Sequence, residues 1–272
     1  MSGVAVFSDL DRTLVYSPSA LLLTMPDEEA PRLLCVEVYQ GRPLSFVTER
    51  AAGGIGALTE AGVLVPVTTR TPEQYRRIHL PGPTPKFALT ANGGRLLRDG
   101  EEDLDYTAAL DARLAGEGAP YDEVWSHLQE LAGSEAGSAF VEKARGADGL
   151  FCYAVVDRDA LPAGWVEELG GYCTERGWTV SVQGRKVYCV PVGLSKGTAM
   201  REVAVMLGSR TVAAAGDSLL DRELLEAADV AIRPAHGELA DSGWTAPHLT
   251  VTRGRGAAAG EEIVDWMVAL AL

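Results

Sequence analysis

Cysteine and histidine are both scarce in this chain, with four of each among 272 residues. Cys35, Cys152, Cys173 and Cys189 are scattered without Cys-x-x-Cys spacing, which argues against structural zinc and for a reduced, cytoplasmic setting. His79, His127, His236 and His248 show no ligand spacing, so they are expected at the surface or behind a site. Positive charge is short as well: 24 Lys and Arg against 38 Asp and Glu leave a formal net charge of −14. That balance opposes nonspecific binding to nucleic acid or to anionic membranes. It still permits an anionic substrate, because a bound cation or local basic residues reverse the field at one site. No stretch approaches the roughly 20 apolar residues of a membrane span. The N-terminus lacks the basic start and long apolar core of a signal peptide and enters a strand at once. Internal repeats and low-complexity linkers are also missing.

What is present suits a globular protein with a sizeable core: 47% hydrophobic and 23% charged residues. The length admits one large α/β domain or a core carrying an inserted module. Val4-Ala5-Val6-Phe7 reads as a buried parallel strand, 33–39 and 43–48 as a hairpin about a Gln40-Gly41-Arg42 turn, and 49–61 as a helix ended by Gly62. A second core strand, 63–67, leads into Thr68-Thr69-Arg70, and Thr71-Pro72-Glu73-Gln74 carries the signals of a helix start. A third strand, 87–90, is closed by Ala91-Asn92-Gly93-Gly94. Between about 100 and 190 the texture changes to helices at 104–114, 121–131 and 162–176 with strands at 139–143, 150–156, 178–182 and 186–192. That block reads as a separate α+β module. Helix 196–207, strand 211–215, helix 222–228, strand 230–232 and a last helix at 260–271 then resume the alternation.

The chemistry gathers where core strands end. Asp9 and Asp11 follow the first strand two residues apart; in an extended segment they would face one reaction centre. Ligands of open α/β sheets bind beyond the carboxyl ends of strands, where these acids fall. One can be a nucleophile or metal ligand while the other moves a proton. Thr68 follows the second strand, Lys196 begins a helix, and Asp217 and Asp221 follow a late strand. Several carboxylates with no sulfur or nitrogen donor suit hard Mg²⁺. A threonine hydroxyl and a lysine ammonium are natural partners of phosphate oxygens. Each residue also has a local reading: Asp217 and Asp221 as helix caps, Thr13 as a turn pin, Thr68 as an ordinary strand-end residue, and Lys196 as a solvated surface charge.

In this order the residues resemble the four motifs of the haloacid dehalogenase (HAD) superfamily of phosphohydrolases. Val4-Ala5-Val6-Phe7-Ser8-Asp9-Leu10-Asp11-Arg12-Thr13-Leu14 is similar to the first and Val65-Pro66-Val67-Thr68-Thr69-Arg70 to the second. Ser195-Lys196-Gly197 is similar to the third and Gly216-Asp217-Ser218-Leu219-Leu220-Asp221 to the fourth. The resemblance implies a Rossmann-like α/β core, a parallel sheet flanked by helices, built from residues 1–98 and 191–272. Residues 99–190 then resemble the type 2B cap of Cof-like, sucrose-phosphate and mannosyl-3-phosphoglycerate phosphatases. Asp9 is implied as the nucleophile that forms an aspartyl phosphate, and Asp11 as the acid and base. Thr68 and Lys196 would hold phosphoryl oxygens. Asp9, the Asp11 carbonyl and Asp217 would bind Mg²⁺, with Asp221 supporting directly or through water. Leu10, Thr13, Thr69, Arg70 and Asn92 complete the implied substrate and phosphate set.

Some positions depart from the pattern. Arg12 and Thr69 stand where the family commonly has glycine, and Leu220 where many relatives have asparagine. The hairpin at 33–48 enlarges the gap between the first two motifs; Tyr39 or Arg42 could reach substrate from it, and a structural or dimer role is equally open. Lys143, Arg145, Arg185 and Lys186 are the cap cations that could meet an anion. The expected partner is a small phosphorylated sugar, glycoside or polyol. A phosphomutase or phosphotransferase of the same fold is the alternative, followed by a non-catalytic ligand-binding homologue. Oligomeric state is not legible.

Overall fold

The computed structural model describes residues 3–272. Strand β1 (Val4–Ser8) is followed by turns to β2 (Leu33–Tyr39) and β3 (Arg42–Thr48), which form the two-stranded antiparallel hairpin. Helix α1 (Glu49–Glu60) starts where the Thr48 hydroxyl accepts the Ala51 N–H at 3.1 Å, and Gly62, at φ 67°, turns the chain out of it. Then come β4 (Leu64–Pro66) and the single turn α2 (Pro72–Tyr75), opened by a reciprocal Thr71–Gln74 capping box. Strands β5 (Phe87–Thr90), β6 (Arg95–Arg98) and β7 (Glu101–Glu102) follow. Next are α3 (Leu104–Leu114), α4 (Tyr121–Gly133), β8 (Val141–Ala147), β9 (Phe151–Val156), α5 (Trp165–Thr174), β10 (Trp178–Gln183) and β11 (Lys186–Pro191). The chain closes with α6 (Lys196–Leu207), β12 (Thr211–Ala215), α7 (Arg222–Glu226), β13 (Val230–Arg233), α8 (Glu238–Asp241), β14 (Leu249–Val251) and α9 (Ala257–Ala271).

The chain separates into two compact units, one of residues up to Asp103 with Ser195–Leu272, the other Leu104–Leu194. In the first, five parallel strands run in the order β14-β13-β12-β1-β4. Val6, Ala213 and Ala215 join a core cluster with Ile55 and Leu58 of α1 and Ile263, Val264 and Met267 of α9. Their neighbours Phe7 and Ala214 are as deeply buried but lie outside that cluster, so both faces of the sheet are covered, as a parallel sheet requires. From β1 the chain moves to β4 on one side and returns to β12 on the other. The switch in strand order therefore falls at β1 and β12, the place where open α/β sheets form their ligand crevice.

Strand β5 forms where a third strand is expected; it pairs antiparallel with β6, which pairs with β7, in a three-stranded sheet of its own. One parallel bridge, Val67 to Leu89, links it to the end of β4. An apolar run announces a strand but not its partner, and the short sequence step to β6 favours local pairing. Strand β14 and helix α8 were unexpected; both are too short for a periodic signal.

The second unit packs α4 and α5 on a four-stranded antiparallel sheet, β10-β11-β9-β8. Helix α5 begins at Trp165, later than expected, because Gly164 takes a left-handed φ of 87°. Cys152, Cys173 and Cys189 are fully buried here and serve as small apolar residues. Among the four cations considered for this module, Arg185 pairs with Glu142, and Lys186 lies over the Tyr153 ring, 5.4 Å from its centroid.

Candidate active site

Strand β1 and its neighbours stop together: Ser8 is level with Ala215 of β12 and Pro66 of β4. The Asp9 N–H still donates to the Ala215 carbonyl at 2.9 Å, but the chain then curls. The N–H groups of Thr13, Leu14 and Val15 all converge on the Leu10 carbonyl, and Arg12 takes a left-handed φ of 66°. Asp9 and Asp11 are therefore not two same-face positions of one extended strand, as their spacing suggests. Asp9 turns inward to 5% exposure, whereas the Asp11 side chain stays 49% exposed.

Lys196 holds the centre. It is the first residue of α6, whose N-cap Ser195 accepts from Gly197 and Thr198. A cation opposes the helix dipole at that end. Here the buried ammonium is offset by two carboxylates: Nζ donates to Asp9 Oδ1 at 2.8 Å and to Asp221 Oδ1 at 2.5 Å. Burial alone would pull the lysine down in pKa, but Asp221 and Asp9 reverse this and keep it charged. Asp221 Oδ2 accepts three further bonds, from the Asp217 N–H at 3.1 Å, the Ser218 N–H at 2.9 Å and the Ser218 hydroxyl at 2.7 Å. It therefore holds both the lysine and the loop that carries Asp217. Its carboxylate is thus not a mere helix cap.

Asp9, Asp217 and Asp221 each offer an oxygen within 4.8 Å of the others, all three buried. Burial first, then repulsion from Asp221, raises the Asp9 carboxyl to about 7. Burial and the charge of Asp9 raise Asp217 well above the carboxylate range. Three buried acids against one buried ammonium resist full ionisation, the condition a hard cation relieves. Oxygen donors without nitrogen or sulfur fit Mg²⁺. Gly237, at φ 90°, permits the close approach of the next loop: a Cβ there would lie 2.6 Å from Asp217 Oδ2.

The remaining expected residues divide by location. Thr13 is fully buried and its hydroxyl reaches Asp9 Oδ2 at 3.4 Å, so it faces the nucleophile candidate. Thr68 is fully buried at the end of β4, its Oγ1 accepting the Arg70 N–H at 3.2 Å. Leu10 sends its side chain into the apolar core, which leaves only its main chain for any ligand contact. Thr69 is half-buried beside Thr68. Asn92 is buried in a left-handed turn, φ 61°, and its N–H donates to the Thr68 carbonyl at 2.9 Å, a junction role in the backbone. Gly93 follows at φ 88°; a Cβ there would sit 2.8 Å from the Ala199 Cβ, so glycine lets α6 approach. Arg70 does not point to open solvent: its Nε and Nη2 grip the two oxygens of Asp11, each at 2.7 Å.

Three neighbours outside the implied site set line its surroundings. Glu37 of the hairpin accepts Arg70 Nη1 at 3.0 Å. Arg12, one of the departures from the family pattern, is half-exposed with its Nε 3.6 Å from Asp217 Oδ2. His236, buried, accepts the Gly256 N–H on Nδ1 at 3.1 Å, so Nε2 carries the proton and donates to the Arg12 carbonyl at 2.9 Å. Burial keeps the ring below its ordinary pKa and hence neutral. It pins the left-handed Arg12 from 224 residues away, a separation no local pattern reveals.

No family model matches the sequence, and no curated protein matches it either. Solved structures do. The sucrose-phosphatase of Synechocystis sp. PCC6803, in complex with sucrose and phosphate, aligns over 98% of both chains at TM-score 0.68 and 17% identity. A haloacid dehalogenase-like hydrolase from Bacteroides thetaiotaomicron aligns over 98% of this chain and all of its own (100%), at TM-score 0.56 and 15% identity. A sugar phosphatase of HAD subclass IIB aligns over 97% of this chain and 99% of its own, at TM-score 0.57 and 10% identity. The chain shares the fold of HAD superfamily phosphatases along nearly its full length.

Proposed function

We propose that this chain is a Mg²⁺-dependent phosphomonoester hydrolase that works through an aspartyl phosphate on Asp9. The observation that carries this reading is the buried Lys196 ammonium bridging Asp9 and Asp221, with Asp217 alongside, at the strand-order switch. Lys196 and Thr13 orient the Asp9 carboxylate, one oxygen of which attacks phosphorus as the ester P–O bond breaks. Asp11 gives its proton to the departing alkoxide. In the second half, Asp11 takes a proton from water as that water attacks phosphorus, and the Asp9–phosphorus bond breaks to release phosphate. Thr68 and Lys196 hold the phosphoryl oxygens. Asp9, Asp217 and the Asp11 carbonyl would hold Mg²⁺, with Asp221 keeping their loop in place, and the ion would neutralise charge on the transferring group. The unit Leu104–Leu194 is the candidate cap that selects the leaving group. Phosphatases of sucrose phosphate and other sugars share the fold, which supports a small phosphorylated sugar, glycoside or polyol as substrate.

The test is phosphate release from a panel of phosphate esters with Mg²⁺ and with EDTA. Release that EDTA abolishes is expected. A folded protein that releases none from any ester contradicts hydrolysis, and label moving from one sugar to another would identify transfer.

The raised carboxyls give a second expectation. With its pKa at about 7 instead of 3.8, Asp9 keeps a proton in the folded metal-free protein that the unfolded chain has lost. Stability of that form therefore falls as pH rises through this window. Mg²⁺ must displace the same protons, so it binds better at higher pH. The rise in thermal midpoint on adding Mg²⁺ is expected to be larger at pH 8 than at pH 6, as measured by calorimetry. Equal shifts would exclude these carboxylates as the ligands.

A further inference from the structure

Glu37 sits in a hairpin strand yet is only 2% exposed. A regular strand alternates sides, so the residue after buried Val36 belongs in solvent. A β-bulge breaks the alternation: the register of β2 on β3 shifts between Cys35 and Glu37 and again between Glu37 and Val38. Bulges re-aim side chains and gather beside active sites. The main chain here is anchored as well, by a bridge from Glu37 to Ile78 and by the His79 N–H on the Val36 carbonyl at 2.7 Å.

The re-aimed carboxylate meets a set of donors. Oε1 accepts Arg70 Nη1 at 3.0 Å and lies 3.5 Å from Arg77 Nε, while Oε2 accepts the Ser45 hydroxyl at 2.6 Å. Arg70 is the shared element. Burial disfavours its charge, but the pairs with Asp11 and Glu37 outweigh that and hold it protonated. Nη1 goes to the hairpin anchor while Nε and Nη2 take both oxygens of Asp11. A guanidinium fork fixes the plane and direction of a carboxylate, which a single bond does not. It engages one of the two lone pairs on each Asp11 oxygen. Asp11 is half-exposed and precedes a left-handed residue, and the fork sets the direction of its carboxylate from the hairpin side.

We propose that Glu37 and Arg70 are positioning residues: the bulged hairpin, acting through the Arg70 fork, orients Asp11 for proton transfer to the leaving alcohol. This rests on the phosphatase reading, but a separate quantity tests it. Hydrolysis by the unsubstituted protein tests the function; the ratio between two leaving groups tests the positioning. An alkyl phosphate needs a proton at the departing oxygen, whereas p-nitrophenyl phosphate releases a stable anion without one. The measured quantity is kcat/KM, which reports steps up to departure of the first product. Glu37→Gln is expected to lower kcat/KM for the alkyl ester about tenfold, within the about 10²-fold or more that a general acid supplies. The value for p-nitrophenyl phosphate should change less than about twofold, and Asp11→Asn should show the same discrimination in larger form. Ser45→Ala keeps the charge and removes only the Oε2 bond; it should shift the ratio the same way by less, and it serves if Glu37→Gln does not fold. Equal losses on both esters would mean a merely structural role and overturn the proposal. A gain on the alkyl ester would mean that the fork parks Asp11 out of action, and would overturn it too.

Discussion

Asp9→Asn is expected to reduce phosphate release by about three orders of magnitude or more, because the bond-forming oxygen is lost, not merely misplaced. The same substitution should not harm the fold, and its effect on stability has a definite sign. At pH 8 the metal-free protein carries ionised Asp9 against a folded pKa of about 7, raised by burial and by Asp221. A raised carboxyl costs the folded state stability from the unfolded pKa of 3.8 upward, in full above the folded value, and a neutral amide of the same shape avoids the cost. The thermal midpoint of Asp9→Asn in EDTA should therefore be equal to or above that of the unsubstituted protein at pH 8. At pH 5, where folded Asp9 keeps its proton but the unfolded chain has lost it, the advantage should be smaller, and it should vanish only below the unfolded value of 3.8. Retained turnover would remove Asp9 as nucleophile, and a lower midpoint at pH 8 would contradict the electrostatic account of the cluster.

Lys196→Met should act in the opposite direction although it changes the other end of the same hydrogen bond. The ammonium pairs with Asp9 and Asp221, both of them buried. Its removal leaves those carboxylates facing each other and Asp217 in a low-dielectric site. Breaking a buried pair from one side costs about 3–5 kcal/mol. For a unit of this size that is a fall of about 10 °C in thermal midpoint. Phosphate release should also fall by about 10²-fold or more, since a preorganised charge on the phosphoryl oxygens is lost. Thermal unfolding at pH 8 in EDTA measures the first, and the ester panel the second. A midpoint unchanged by Lys196→Met would mean that the acids are protonated or solvated, and the cluster could not work as described.

Much of the fold was legible because its signals are local. Apolar runs mark β1 and β12, a cap residue followed by proline marks α2, and Ser195 before Lys196 marks α6. Strand partnership is not local. Phe87–Thr90 has the composition of a core strand, yet it pairs with Arg95–Arg98 and leaves the parallel sheet at β4. At the site, Asp9, Lys196, Asp217 and Asp221 were named from residue type and order, and the structure brings them within hydrogen-bonding or ligand distance of one another.

The sequence by itself determined which groups are available: four acids and a lysine placed beside strand ends and a helix start, in an acidic chain without transition-metal ligand spacing. Only the tertiary structure decided how they are used. Burial turned Lys196 from a possible surface charge into the cation between Asp9 and Asp221. It also recruited Glu37, through a bulge, to an arginine 33 residues away, and His236 to a carbonyl 224 residues away. Periodicity and capping act over a few residues, whereas desolvation and charge pairing depend on what the fold brings into contact, so these two partnerships left no trace in the order of the residues.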